Sequence, residues 1–525
     1  MVPGSLSSPP ALSGPAGSVP PFHAMIGGMT RVPRPVGGMA AAAGLVLLAL
    51  LVRLPLLDTP LERDEAGYAL IARDLPRGRL PYRDAVDNKP PLLYAAYALL
   101  EAVAGADPAR LRALGAGWNA LTALAVWRTG VAVAGAREGL IAGLIYALAS
   151  ADPSVQGFTV NAELLMLLPA VLAALGWWHA IRRRSAPLAA AAGAGLGLAI
   201  LLKQQALPQL LLVAFALAVP RRRRAAVALA FLGAAAGIGA LALAGLEAMG
   251  ILADALGVAG FLLRHIVSAV PLPRSLADLA GLLGRVALTQ GPVWLLAVAG
   301  AGAAGWAPRG RGFVLGWLAA AAAGALLGRR PIPHYLLPLG PPLALLAGTG
   351  LARLLRPAPG ARAVALLRVA TGAAVLVSAV TLRPLLAAPR AVQARSLYPD
   401  NAFLEAEAVA DWVAAHTPPD TPVWVAGSEP GIPLRAGRPL AGRYPYLYYL
   451  VVPAPGMEAA QDRWVRECAD TAGVLVVCDV TASWSEVFAS PRLVERLRGR
   501  VRAELASGRW RPAARIPPYR LYLRR

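Results

Sequence analysis

Lysine is nearly absent from this chain: of 51 basic residues only Lys89 and Lys203 are lysines, and arginine supplies the rest. A GC-rich genome that writes Arg for Lys accounts for the scarcity. It does not account for where the two survivors sit, beside other polar residues in apolar surroundings, where a charge at membrane depth costs about 2.5 to 3.5 kcal/mol. Cysteine is as scarce, with Cys468 and Cys478 alone, so at most one disulfide forms. An oxidising compartment permits that bond, and two buried thiols suit the sequence equally. Charged residues of all kinds make up only 15% of the chain, against about 25% in a soluble domain. With 57% hydrophobic residues and a mean hydropathy of +0.55, that shortage excludes a soluble globular protein and indicates a polytopic helical membrane protein.

The formal net charge of +22 does not imply nucleic acid. The arginines fall in short clusters between apolar segments, such as Arg182 to Arg184 and Arg221 to Arg224, and not on one basic face with aromatics. They read as topology signals that place those loops in the cytoplasm. Residues 1–37, rich in Pro, Gly and Ser, are expected to form a disordered cytoplasmic tail. Met39 to Leu57 lacks a small-residue cleavage site and reads as an uncleaved first span.

About eleven spans are expected, near 39–57, 111–134, 138–151, 161–181, 186–202, 204–220, 225–248, 288–306, 312–328, 333–354 and 364–388. The apolar run at 91–105 is too short to cross, and reading it as a half-buried helix keeps every arginine cluster inside. This parity makes 38–395 a transmembrane domain whose loop 58–90 faces out of the plasma (inner) membrane. After residue 395 the composition turns to that of a soluble α/β domain, 396–525, also extracytoplasmic. It carries no Gly-rich phosphate loop.

The polar residues concentrate on the outward side. Glu62-Arg63-Asp64-Glu65-Ala66-Gly67-Tyr68 puts two adjacent carboxylates after the first span, and in a helix Asp64 and Tyr68 share a face. A carboxylate here can take a proton from an acceptor hydroxyl, while acids at a helix start also simply favour its dipole. Asp87 and Lys89 close the same loop, stiffened by Pro90 and Pro91, where the ammonium can meet a lipid phosphate. Glu163 stands at the start of an apolar span and needs a cation or a wet cavity, for which Lys203 and Arg330 are natural partners. Arg330, His334 and Tyr335 form the last outward cluster, positive on the side that the topology rule prefers neutral, as an anion site would require. His334 also reads as a satisfied packing histidine. Together these describe a cavity holding carboxylates and cations, suited to a lipid-phosphate donor.

The motifs Asp64-Glu65 with Tyr68, Lys89-Pro90-Pro91-Leu92-Leu93-Tyr94, Asn161-Ala162-Glu163-Leu164-Leu165, Leu202-Lys203-Gln204 and His334-Tyr335-Leu336-Leu337-Pro338 occur in order along the chain. In this the sequence resembles the GT-C membrane glycosyltransferases, in particular the superfamily of protein O-mannosyltransferases and aminoarabinose lipid A transferases. The resemblance implies a polyprenyl-phosphate sugar donor, inversion at the anomeric carbon, Asp64 (with Glu65 beside it) as catalytic acid group and Lys89 on the donor phosphate. Tyr68, Asp87, Glu163, Lys203, Arg330, His334 and Tyr335 are expected around the substrate, with Lys203, Arg330 and His334 joining Lys89 on the leaving phosphate. The C-terminal stretch looks like the outer domain of bacterial members, which favours a lipid or glycan acceptor over a protein. No cofactor is required, although Asp64 with Glu163 offers oxygen ligands to a hard divalent cation. The competing reading is a transporter or flippase of a lipid-linked sugar, whose site would lie at the midplane between inverted repeats.

Overall fold

The computed structural model describes residues 35–105, 107–268, 270–357, 362–484 and 489–525. The expected tail therefore lies outside the described residues, except that Pro35–Gly37 already belong to the first helix, α1 (Pro35–Leu51). Residues 43–525 form one compact unit, and residues 35–42 of the preceding unit are the opening turns of α1.

The first loop holds α2 (Arg63–Asp74), which starts where it does because of a reciprocal cap. The Glu62 carboxylate accepts from the Asp64 N–H and the Glu65 carboxylate accepts from the Glu62 N–H, both at 3.0 Å. Next comes α3 (Pro91–Ala104), opened by proline at its first position and about 21 Å long, too short for a hydrocarbon core of about 30 Å. The helices that follow are α4 (Pro108–Val133), α5 (Ala136–Ala149), α6 (Ala162–Arg183), α7 (Ala186–Leu202), α8 (Arg221–Ala248), α9 (Leu252–Phe261), α10 (Leu272–Ala301), α11 (Gly310–Leu326), α12 (Gly340–Leu354) and α13 (Arg362–Leu386). All eleven segments expected to cross are helical, with α10 beginning sixteen residues earlier than the apolar pattern suggested, at 272 instead of 288. Among the described residues six helices are long and apolar enough to cross a membrane: 38–56, 162–183, 221–248, 272–301, 333–354 and 362–386.

The segment after α7 is unusual. Lys203 takes an extended conformation (φ −156°, ψ 125°), and Gln204–Ala218 then continues as a 3₁₀ helix of 15 residues. At about 2.0 Å rise per residue such a helix reaches about 30 Å, whereas 15 residues of α-helix reach about 22 Å.

Beyond α13 the chain runs through α14 (Arg390–Leu397), α15 (Phe403–His416), β1 (Val423–Ala426), α16 (Gly431–Ala436), α17 (Tyr448–Val451), α18 (Met457–Thr471), β2 (Val474–Cys478), α19 (Pro491–Leu505), β3 (Trp510–Ile516) and β4 (Tyr519–Arg524). The sheet order is β1-β2-β4-β3, with β1 parallel to β2 and the other pairs antiparallel. Alternate residues of β1 and β2 enter different cores. Trp424, Ala426, Leu475 and Val477 pack with residues of α18 and α19, and Val423, Val425, Val474 and Val476 pack with α15 and α16. This two-sided burial is why both strands are continuous apolar runs. It also separates Cys468 from Cys478, which sit in the two different cores, so both are free, buried thiols.

Arginines fasten this α/β region to the first loop. Arg63 donates to the Ser428 carbonyl (2.6 Å), Arg73 to those of Pro433 and Arg438 (2.9 Å each), and Arg79 to that of Leu440 (3.0 Å). The Val86 N–H donates to the Arg443 carbonyl at 2.8 Å. At the other end of the loop, Arg112 of α4 reaches up to carry Glu65. Its guanidinium lies 2.7 Å from Glu65 Oε2 and also donates to the carbonyls of Thr59 and Pro60, with both partners fully buried. Removing one member of a buried ion pair leaves the other charge uncompensated, which costs about 3 to 5 kcal/mol. Arg112→Ala is therefore expected to lower the thermal melting point sharply, and by more than Asp64→Asn, where the side chain is partly exposed and Asp87 still faces Lys89. Equal melting of Arg112→Ala and wild type would show that the pair does not hold the loop.

Candidate active site

The short spacing between Asp64 and Tyr68 on α2 brings the Tyr68 hydroxyl onto Asp64 Oδ2 at 2.9 Å. Lys89 arrives from the far end of the loop, with its ammonium 3.9 Å from Asp64 Oδ2, 3.5 Å from Asp87 Oδ1 and 5.1 Å over the Tyr68 ring. Asp87 is fully buried. It accepts from its neighbour's N–H (Asn88, 2.8 Å), from the Tyr94 hydroxyl (3.0 Å) and from the Tyr449 hydroxyl (3.5 Å). Its charge is thus met by several donors, and Lys89 is left shared between a locked carboxylate and a more open one. The Asp64 side chain is 26% exposed, against 0% for Asp87.

Charge decides the state of Asp64. Burial pushes its carboxyl up, but the Lys89 ammonium, with His334 and Lys203 further off and the Tyr68 hydroxyl donating, holds it well below the usual carboxylate range. Glu62 goes the other way: burial, then the adjacent Asp64 and Glu65 carboxylates, push it well above that range. Of Glu62 and Asp64, the one facing Lys89 keeps its charge more firmly.

Glu65 points elsewhere. Its oxygens accept from Arg112 at 2.7 and 3.3 Å, from the Val160 N–H at 2.7 Å and from the Glu62 N–H at 3.0 Å, which leaves it no free edge for a substrate. Glu163 and Lys203 form a second, deeper pair at 2.8 Å, with Lys203 5.0 Å over the Tyr335 ring. His334 packs against Tyr335, and its Nδ1 is 2.7 Å from Gln156 Oε1. Arg330 is half-buried and lines, with Tyr335, Ser275 and Leu279, a mainly apolar cleft beside α10 and α11. Asp64 and Glu163 each face a lysine. Among the described residues no group of three His, Cys, Asp or Glu is placed to hold a metal.

Six contributors escaped the reading of the sequence. Glu62 appeared only as the first residue of the Asp64 motif, and Arg112 was not singled out. Gln156 carried no signal at all. Tyr446, Tyr448 and Tyr449 come from the distant α/β region, although the run Tyr444-Pro445-Tyr446-Leu447-Tyr448-Tyr449 is dense enough in aromatics to have been singled out. Tyr448 receives the Asn88 side chain at 3.4 Å, and the Tyr446 hydroxyl lies against Gly67, where an added Cβ would come within 1.7 Å of it.

Residues 88–244 match the family model of dolichyl-phosphate-mannose-protein mannosyltransferases. No curated protein matches the chain in sequence. In structure it is similar to ArnT from Cupriavidus metallidurans, at 16% identity over 93% of this chain and 98% of that one. The TM-score is 0.57 for the form bound to undecaprenyl phosphate and 0.59 for the apo form. It is also similar to the archaeal oligosaccharyltransferase AglB from Archaeoglobus fulgidus, in complex with an inhibitory peptide and a dolichol-phosphate, at 13% identity, 83% and 69% coverage and a TM-score of 0.51. Over most of its length the chain therefore has the fold of these two structures.

Proposed function

We propose that this protein is an inverting glycosyltransferase of the cell envelope. It moves a sugar from a polyprenyl-phosphate donor to a lipid or glycan acceptor at the extracytoplasmic face. The observation that carries the reading is the Lys89 ammonium 3.9 Å from the partly open Asp64 carboxylate, in the loop between the first spans. The relatives named above support it, since one was solved with undecaprenyl phosphate and the other with a dolichol-phosphate. The outward placement rests on the arginine clusters at 182–184 and 221–224.

Direct displacement follows from this arrangement. The donor phosphate docks on Lys89, and the acceptor hydroxyl approaches Asp64. As the hydroxyl oxygen bonds to the sugar C1, the C1–O bond to phosphate breaks and the electron pair leaves with the phosphate, whose charge Lys89 neutralises. The hydroxyl proton passes to Asp64. The strong hold of Lys89 alone makes Asp64 a weak base. A phosphate on Lys89 takes up part of that positive charge, so Asp64 gains basicity when the donor arrives. Tyr68 keeps the carboxylate aimed, and Asp87 with its tyrosines keeps Lys89 in place. Glu65 serves by holding the loop through Arg112.

Purified protein given donor and acceptor should release polyprenyl phosphate. Asp64→Asn is expected to abolish that release with donor binding retained, and full turnover in this variant would remove Asp64 as base. Lys89→Ala should weaken donor binding about tenfold or more, the scale of a lost charge-assisted contact; unchanged affinity would exclude the phosphate contact. Movement of donor lipid across vesicles with no sugar transferred would favour the transporter reading.

The pH dependence has a definite sign. A carboxyl held low stays ionised, and so competent as a base, into acid; loss of the cation lets it protonate at higher pH. The acid limb of kcat/KM, which reports the free enzyme, should therefore move up by about 1 to 3 pH units in the residual activity of Lys89→Met. A limb that stays in place would mean that Lys89 does not set the state of Asp64.

A further inference from the structure

The deeper pair, Glu163 and Lys203, need not serve the phosphate. Three elements meet there: the first turn of α6, the extended break after α7, and the 3₁₀ turn Pro333–Leu339 that begins with His334 next to the proline. All three side chains are buried, with Glu163 at 0%, Lys203 at 2% and His334 at 3% exposure. The Lys203 ammonium lies 2.8 Å from Glu163 Oε1 as an ion pair, while Glu163 Oε2, Asn161 Oδ1 and His334 Nε2 have no hydrogen-bond partner among the described residues. So many unfilled polar atoms at one buried place are costly unless a ligand meets them.

The kind of atom tells which ligand. Gln156 presents its amide oxygen to His334 Nδ1, so Nδ1 carries the hydrogen and Nε2 of the neutral ring offers a lone pair. Apart from the ammonium, then, the recess offers acceptors: two carboxylate oxygens, an amide oxygen and an imidazole nitrogen. A phosphate needs donors, and the ammonium is the one donor among these groups. A ring bearing hydroxyls supplies the donors these acceptors lack and accepts from the ammonium.

We infer that Glu163, Lys203 and His334 form the subsite for the transferred sugar, with His334 Nε2 accepting a hydrogen bond from a ring hydroxyl, and that His334 does not touch the donor phosphate. The inference rests on the glycosyltransferase reading above. It sets the phosphate on Lys89 and turns the sugar ring from there toward the recess. Asp64 feels the charge of Lys203, as a base beside C1 of that ring would.

The test compares binding of bare undecaprenyl phosphate with that of undecaprenyl-phosphate glucose, galactose, mannose and arabinose to the full-length protein in nanodiscs. Wild type is expected to bind at least one sugar-bearing lipid more tightly than the bare one. His334→Asn keeps a donor for Gln156 and deletes the Nε2 acceptor; it should lose about tenfold of that preference, one hydrogen bond to a buried partner, with bare-lipid affinity unchanged. His334→Gln, with an amide oxygen near the Nε2 position, should restore part of it. Lys89→Ala should weaken all the lipids alike. The inference is overturned if His334→Asn weakens the bare lipid as Lys89→Ala does, if it leaves the preference intact, or if wild type shows no preference. In the last case the glycosyltransferase reading survives, since bare lipid still binds. Wild type that binds none of the lipids overturns both.

Discussion

The Lys89 ammonium, held between two carboxylates, is the interaction on which the site depends. A single buried cation cannot satisfy two buried anions at full strength, and the structure resolves this by giving Asp87 other donors, from Tyr94, Tyr449 and its own neighbour's backbone. What remains of the Lys89 field falls on Asp64. The result is one carboxylate that is locked and one that is ionised, partly open and restrained by a charge that an incoming anion can draw away. Neither aspartate alone has this property, because it comes from the unequal sharing.

The rest of the architecture keeps that arrangement rigid while leaving it accessible. Arg112 and Glu65 brace the loop from below, and the reciprocal cap of Glu62 and Glu65 sets where α2 begins, and therefore where Asp64 and Tyr68 point. From above, the α/β region contributes the tyrosines of 446–449 and a series of carbonyls that receive Arg63, Arg73 and Arg79. Strands buried on both faces make that region stiff enough to position them. Nearby, the extended break at Lys203 and the 3₁₀ segment behind it trade regular helix geometry for reach, and so bring a second lysine to the end of a short span.

Much of this was visible in the residues themselves. Apolar periodicity and length located every helix from α4 to α13 that was expected to cross, and Pro90-Pro91 marked the start of a helix whose apolar run is short. Lysine scarcity drew attention to Lys89 and Lys203, each of which the fold pairs with a carboxylate from the expected set. Glu65 could not be separated from Asp64 by sequence, since adjacent residues on a helix differ only in direction, about 100° apart, and what each direction meets is a matter of packing. Gln156 was out of reach for the same reason: its contact to His334 joins residues 178 positions apart. The two cysteines were ambiguous until the sheet placed them in opposite cores.

The sequence by itself determined the solvent in which this chain lives and the chemical types available to its site. Both follow from sums over local properties, hydropathy and charge, that need no knowledge of neighbours. Only the tertiary structure decided which carboxylate meets which cation, which acid is spent on holding the loop, and which polar atoms are left unfilled. Those outcomes depend on distances between segments far apart in the chain, and a shift of one side chain's length changes both charge state and role.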